Sequence, residues 1–122
     1  DRKYTWYCFD KLDIGRMKKA AALMMGEHDF KGFSSVKKTN KSTVRTVSRI
    51  DMDVRDRELD LIFEGNGFLY NMVRIMAGTL IEIGTGDREP ESVTEVFRTK
   101  DREKAGITLP PQGLFLDEVI YP

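Results

Sequence analysis

Gly67-Phe68-Leu69-Tyr70-Asn71-Met72-Val73-Arg74-Ile75-Met76-Ala77-Gly78-Thr79-Leu80, continued by Ile81-Glu82-Ile83-Gly84, is the stretch on which the fold turns. Gly65-Asn66-Gly67 breaks whatever precedes it, and the periodicity predicts one long helix from Phe68 to about Ile83, closed by Gly84 and Gly86. Leu69, Met72, Val73, Met76, Leu80 and Ile83 form one apolar stripe, while Tyr70, Ala77 and Ile81 make much of another side apolar. A helix that is apolar nearly all round belongs in a core. Arg74 is the only charged side chain between Phe68 and Ile81. A buried guanidinium keeps its proton, so it must find a partner. Two readings stay open: a structural ion pair with an acid of this chain, such as Glu64 or Asp117, or a site arginine facing a substrate or a catalytic carboxylate.

Upstream, Asp13 is a good N-cap for a helix running to about Met25, with Gly26 as its stop and Ile14, Met17, Ala21 and Met24 on one face. Glu27-His28-Asp29-Phe30 leads into a loop rich in Lys, Ser, Gly and Thr. From Thr43 the pattern changes to period two. Val44, Thr46, Ser48, Ile50, Met52 and Val54 share one face of a strand, and Arg45, Arg49, Asp51 and Asp53 share the other. Arg55-Asp56-Arg57 turns the chain into a second strand carrying Leu59, Leu61 and Phe63, which predicts an antiparallel hairpin. Downstream, Pro90 and Glu91 open a short third helix, Pro110-Pro111 ends regular structure, and Leu114 to Tyr121 reads as a final strand. The order helix, two strands, two helices, strand makes the class α+β, an antiparallel sheet packed against helices.

The 122 residues suffice for one compact domain. Charged residues at 33% and apolar ones at 40% are the balance of a globular chain, and no apolar run is long enough to cross a bilayer. No signal peptide is visible at Asp1-Arg2-Lys3-Tyr4, and a cytoplasmic, reducing setting is the expectation. Cys8 and His28 are the only cysteine and histidine, which excludes a disulfide within the chain and a Cys/His zinc site. Gly65-Asn66-Gly67 has neither Walker nor dinucleotide spacing, and no Gly-x-Ser-x-Gly motif occurs. Twenty basic and twenty acidic residues cancel, yet no acid lies between Asp29 and Asp51, where Lys31, Lys37, Lys38, Lys41, Arg45 and Arg49 cluster. Such a segment either meets phosphate or is a solvated loop.

The run from Gly67 to Leu80 strongly resembles the helix motif of TruA-type tRNA pseudouridine synthases. Four further blocks recur in that family's order: Leu23-Met24-Met25-Gly26-Glu27-His28-Asp29-Phe30, Thr43-Val44-Arg45-Thr46-Val47, Asp101-Arg102 with Ala105-Gly106, and Pro110-Pro111 with Gly113-Leu114. The resemblance covers nearly the whole chain. It implies that residues 1–122 are the C-terminal domain of such an enzyme, one half of the two-domain pseudouridine synthase fold. The family isomerises uridine on the 3′ side of the tRNA anticodon stem-loop without a cofactor or metal, and is commonly homodimeric. Its chemistry rests on an aspartate in a Gly-Arg-Thr-Asp-x-Gly type motif of the N-terminal half, which this sequence does not contain; nor does it contain the family's active-site tyrosine. Arg74 matches the arginine that pairs with that aspartate, and Leu114 matches the leucine that packs on the target base. Lys37, Lys38, Lys41 and Arg45 are the candidate phosphate contacts. An inactive RNA-binding module and an oligomerisation domain are the rival readings.

Overall fold

In a computed structural model, residues 1–7 and 11–116 are described. Cys8, Asp117 and the part of the expected last strand beyond Leu116 lie outside them. The elements are β1 (Arg2–Tyr7), α1 (Ile14–Met24), β2 (Gly26–Asp29), β3 (Val44–Arg55), β4 (Glu58–Gly65), α2 (Met72–Thr85), α3 (Ser92–Thr99) and β5 (Leu114–Leu116). The strands form one sheet in the order β2-β3-β4-β1-β5, every pairing antiparallel. The expected α+β class holds. Two of its strands, β1 and β2, extend the predicted set.

The predicted hairpin is the spine of the sheet. Asp56 turns it with a left-handed φ of 52°, and Leu59, Leu61 and Phe63 are all fully buried. Asp60, between them, is buried at 3% exposure. A carboxylate there has to be satisfied. Thr5 of β1, directly opposite, donates to it at 2.7 Å, and Arg55 reaches its second oxygen at 2.9 Å.

β3 departs from strict alternation. Val47 pairs with Gly65 but Arg49 pairs with Glu64, so Ser48 is an extra, bulged residue. A bulge reverses which parity faces the core. Val47 is buried on the near side of it, and Ile50 and Met52 pack on the core beyond it, whereas Val44 and Val54 are exposed. The single face expected for residues 44–54 is therefore two half-faces.

Tyr4, Val47, Leu59, Leu61 and Phe63 of the sheet pack in one core with Met17, Ala20 and Met24 of α1 and Met72, Ile75, Met76, Leu80 and Ile83 of α2. Each large side chain so buried stabilises the fold by about 1.5–3 kcal/mol relative to exposure. α1 starts as predicted, the Asp13 carboxylate accepting from the Arg16 amide at 3.1 Å. α2 starts four residues later than predicted. Asn71 has φ 61°, a left-handed conformation that no continuing right-handed helix contains, and its carbonyl accepts the first helical bond from Ile75. Gly84 stays within the helix and Gly86 closes it.

Candidate functional site

Asn71 makes the late start of α2 consequential. Phe68–Tyr70, freed from the helix, become the wall of a pocket of about 330 Å³ that Arg2, Arg74, Pro111 and Leu114 also line. Among the described residues, no carboxylate lines it.

Arg74 reaches this pocket from the first turn of α2. Its Nε donates to the Leu109 carbonyl at 2.6 Å and its Nη1 to the Asn71 side-chain oxygen at 2.8 Å. Asn71 in turn donates to the Ser35 hydroxyl at 3.0 Å, and the Ser35 amide donates to the Tyr70 carbonyl. The guanidinium is thus held from two sides by neutral oxygens. Two of its five N–H donors are engaged in these bonds. Among the described residues it has no carboxylate partner: Glu64, one of the two acids considered from the sequence, is turned to Arg49 at 3.7 Å, and Asp117 lies outside the described set.

The Leu109 carbonyl is in place because residues 105–109 run along α2. The Gly106 amide donates to the Thr79 hydroxyl at 2.8 Å, the Ile107 amide to Glu82 at 3.1 Å, and the Leu109 amide to the Arg74 carbonyl at 3.2 Å. This approach depends on Gly78, where a Cβ would stand 1.9 Å from the Ile107 carbonyl oxygen. The block Ala77-Gly78-Thr79 and the block Ala105-Gly106, far apart in sequence, are two sides of one contact.

Leu114 opens β5 and sits opposite Tyr4, half-buried, with its side chain on the pocket. Gly113 before it lies on the Tyr4 ring, where a Cβ would be 2.6 Å away. The Tyr4 hydroxyl donates to the Pro110 carbonyl, which fastens the double proline to the sheet. Burial pushes that hydroxyl's pKa up, and the charge of Arg74 opposes the rise. Arg74 and Leu114 are therefore brought to one pocket.

The basic segment divides. Lys37, Lys38 and Lys41 are exposed and make no ion pair among the described residues. Lys31, Lys38, Thr39 and Asn40 line an open depression. Among the described residues Arg45 bonds to the Ser42 and Val44 carbonyls and packs on Gly67. Arg49 is different: Asp1 at 3.1 Å, Asp51 at 3.3 Å and Glu64 at 3.7 Å surround it. Its charge is neutralised within the chain, so the open basic segment ends at Arg45. Lys37, Lys38 and Lys41 do not line the Arg74 pocket.

Asn71 and Ser35 escape sequence reasoning. A signal exists, since an Asn four residues beyond a Gly-Asn-Gly break is a candidate left-handed residue. Among the described residues no group of three or more His, Cys, Asp or Glu side chains comes together as a metal site. No helix there is long and apolar enough to cross a membrane.

Residues 20–122 match the family model described as tRNA pseudouridine synthase. The chain is similar to proteins named tRNA pseudouridine synthase A from Leuconostoc mesenteroides (45% identical, 98% of this chain and 48% of that one) and a Thermoanaerobacter species (44%, 98% and 49%). A protein of the same name from Lysinibacillus sphaericus is 47% identical over 91% of this chain and 45% of its own. The chain spans about half the length of the curated relatives it matches. These matches show that the chain belongs to the TruA family of tRNA pseudouridine synthases.

Proposed function

We propose that this chain is the C-terminal half of a tRNA pseudouridine synthase and forms one wall of its uridine pocket. The reading rests on one observation above the others. Arg74 is fixed by neutral acceptors, has no carboxylate partner among the described residues, and faces a pocket that it shares with Leu114. A guanidinium held in that way is a preorganised fork for a carboxylate brought by another domain. That carboxylate is the catalytic aspartate, and Arg74 sets its orientation and keeps it ionised. Leu114 supplies an apolar surface for a base taken out of its stack. Lys37, Lys38, Lys41 and Arg45 contact RNA phosphates, which position the substrate without reading its sequence. The parent enzyme converts uridine to pseudouridine in the anticodon stem-loop of tRNA without a cofactor, as a cytoplasmic homodimer, in keeping with its family.

The reaction exchanges the C1′–N1 bond of uridine for a C1′–C5 bond and releases the C5 proton, so release of tritium from 5-labelled uridine measures it. The full-length protein should release tritium from unmodified tRNA, and the 122-residue chain alone should not. Arg74→Lys in the full-length protein keeps the charge and loses the fork. Its kcat should fall by about 10²-fold or more, as when a preorganised donor is removed, while tRNA affinity changes little. Full turnover by that variant would overturn the assignment.

A further inference from the structure

The pocket holds a second guanidinium. Arg2 shares the strand face of Tyr4, two residues along β1, and Tyr4 is buried in the core. Alternation therefore puts a cation where an apolar residue would ordinarily sit, at the end of the sheet's buried face, opposite Phe63 on β4 and Leu116 on β5. Its guanidinium carbon lies 5.5 Å from the centroid of the Phe68 ring, and the residue is half-buried on the wall of the Arg74 pocket. A guanidinium held over an aromatic ring keeps N–H donors available for an anion. No carboxylate among the described residues takes them.

Most other arginines differ. Arg16, Arg49, Arg55, Arg88 and Arg98 all meet carboxylates of this chain. Arg2, Arg45, Arg74 and Arg102 form no ion pair with a carboxylate among the described residues; Arg102 donates to the Thr108 hydroxyl, whereas the other three lie against the segment from Gly67 to Asn71, Arg45 on Gly67, Arg2 on Phe68 and Arg74 on Asn71. The aspartate of the proposed reaction is one anion and engages one fork. We infer that Arg2 binds a phosphodiester of the RNA backbone beside the target uridine, so that the nucleotide entering the pocket is held by its phosphate at Arg2 and by its base at Leu114. The inference rests on the reading of the pocket as the uridine site. Arg2 is a binding residue in this scheme and takes no part in the proton transfers.

The test uses the full-length enzyme and a stem-loop RNA carrying the target uridine. Arg2→Gln should raise KM about tenfold or more with kcat changed far less, and should lower the slope of log affinity against log salt by about 0.7–0.9, the signature of one phosphate left unneutralised. Arg2→Lys should keep the slope and recover part of the affinity. A neutral methylphosphonate placed at each linkage around the target should, at one linkage, weaken binding to the wild-type enzyme and cost Arg2→Gln nothing further, as two changes to one shared contact must. A general loss of folding would not produce that selectivity. If Arg2→Gln binds with unchanged affinity and slope while Arg74→Lys loses kcat, the inference fails and the reading of the pocket stands. If Arg2→Gln loses kcat and couples to no linkage, Arg2 serves a protein carboxylate and the inference is overturned. A wild-type enzyme that releases no tritium overturns both.

Discussion

Arg49 on β3 and Arg74 on α2 are the same residue in opposite circumstances. Arg49 stands on the outer face of the sheet, with its side chain 41% exposed and three carboxylates within 3.7 Å. Arg74 stands at a pocket under the other face, held by a carbonyl and an amide oxygen. Arg49 is half-buried and meets an Asp1 carboxylate that is itself only 4% exposed, together with the more open Asp51 and Glu64, so the chain supplies three acids for it. For Arg74, half-buried as well, the described residues supply none. The bulge at Ser48 draws the line between the two situations. Before it, Arg45 shares the parity of buried Val47 and folds onto Gly67; after it, Arg49 shares the parity of Asp51 and points away from the core. A cation's partner inside the chain marks it as part of the scaffold, and its lack of one marks the surface meant for something else.

The largest test breaks this comparison directly. Arg49→Gln in the full-length enzyme should leave kcat within about twofold and lower stability by about 1–3 kcal/mol, since it strands the buried Asp1 carboxylate. Arg74→Lys, the milder substitution by size and charge, should reduce kcat by about 10²-fold or more. Comparable falls in turnover for the two variants would show that pairing within the chain says nothing about function. Tritium release and denaturation midpoints measured on both proteins decide it.

A smaller effect is expected from the open lysines. Changing Lys37, Lys38 and Lys41 together to Ala should flatten the salt dependence of tRNA binding by about 0.7–0.9 in slope for each phosphate no longer neutralised, with kcat at saturating tRNA retained. An unchanged slope would make these lysines solvated surface and would confine the RNA contacts to the neighbourhood of the pocket.

Much of this arrangement is legible in the residues, and the exceptions have physical causes. The hairpin and α1 follow from alternation, a turn and an N-cap, all of them local. Arg74 is conspicuous because one charge interrupts an apolar helix. β1 escapes a reading of local pattern although Tyr4-Thr5-Trp6-Tyr7 is rich in strand-forming residues, because its flanks are charged and its pairing partners, β4 and β5, are distant in sequence. The bulge cannot be read from period two, since one extra residue leaves both half-patterns intact. The late start of α2 lies with Asn71, whose side chain serves Arg74 and Ser35 instead of capping the helix. That pocket wall exists only because a local rule gives way, and functional sites are where such rules are expected to give way.

The smallest effect concerns an acid whose charge the chain does engage, on the segment whose lysines it leaves open. Asp29 ends β2, and its carboxylate braces both ends of the basic segment: it accepts from the Lys31 amide at 3.0 Å and from the Thr43 hydroxyl at 2.7 Å, with the Lys100 ammonium 3.6 Å away. Burial pushes its pKa up, but the bonds from Thr43 and Lys31 and the charge of Lys100 outweigh that and hold it below the ordinary carboxylate value. A depressed pKa means that the unfolded chain binds the proton more readily than the folded one, so Asp29 stabilises the fold above the unfolded value of about 4. That contribution disappears as pH falls through the lower, folded value. Asp29→Asn should therefore lower the denaturation midpoint near pH 7 by the equivalent of about 1 kcal/mol. Wild type and variant should converge once the pH lies below the depressed native value, where the native carboxylate is itself protonated. Because the brace holds the ends of the segment and not its lysines, the variant should bind tRNA with a nearly unchanged salt slope. A midpoint difference that persists unchanged from pH 7 into acid would mean that shape, not charge, fixes the turn. A slope that drops as far as in the triple lysine variant would mean that the brace sets the positions of the open cations, joining the two classes that Arg49 and Arg74 separate.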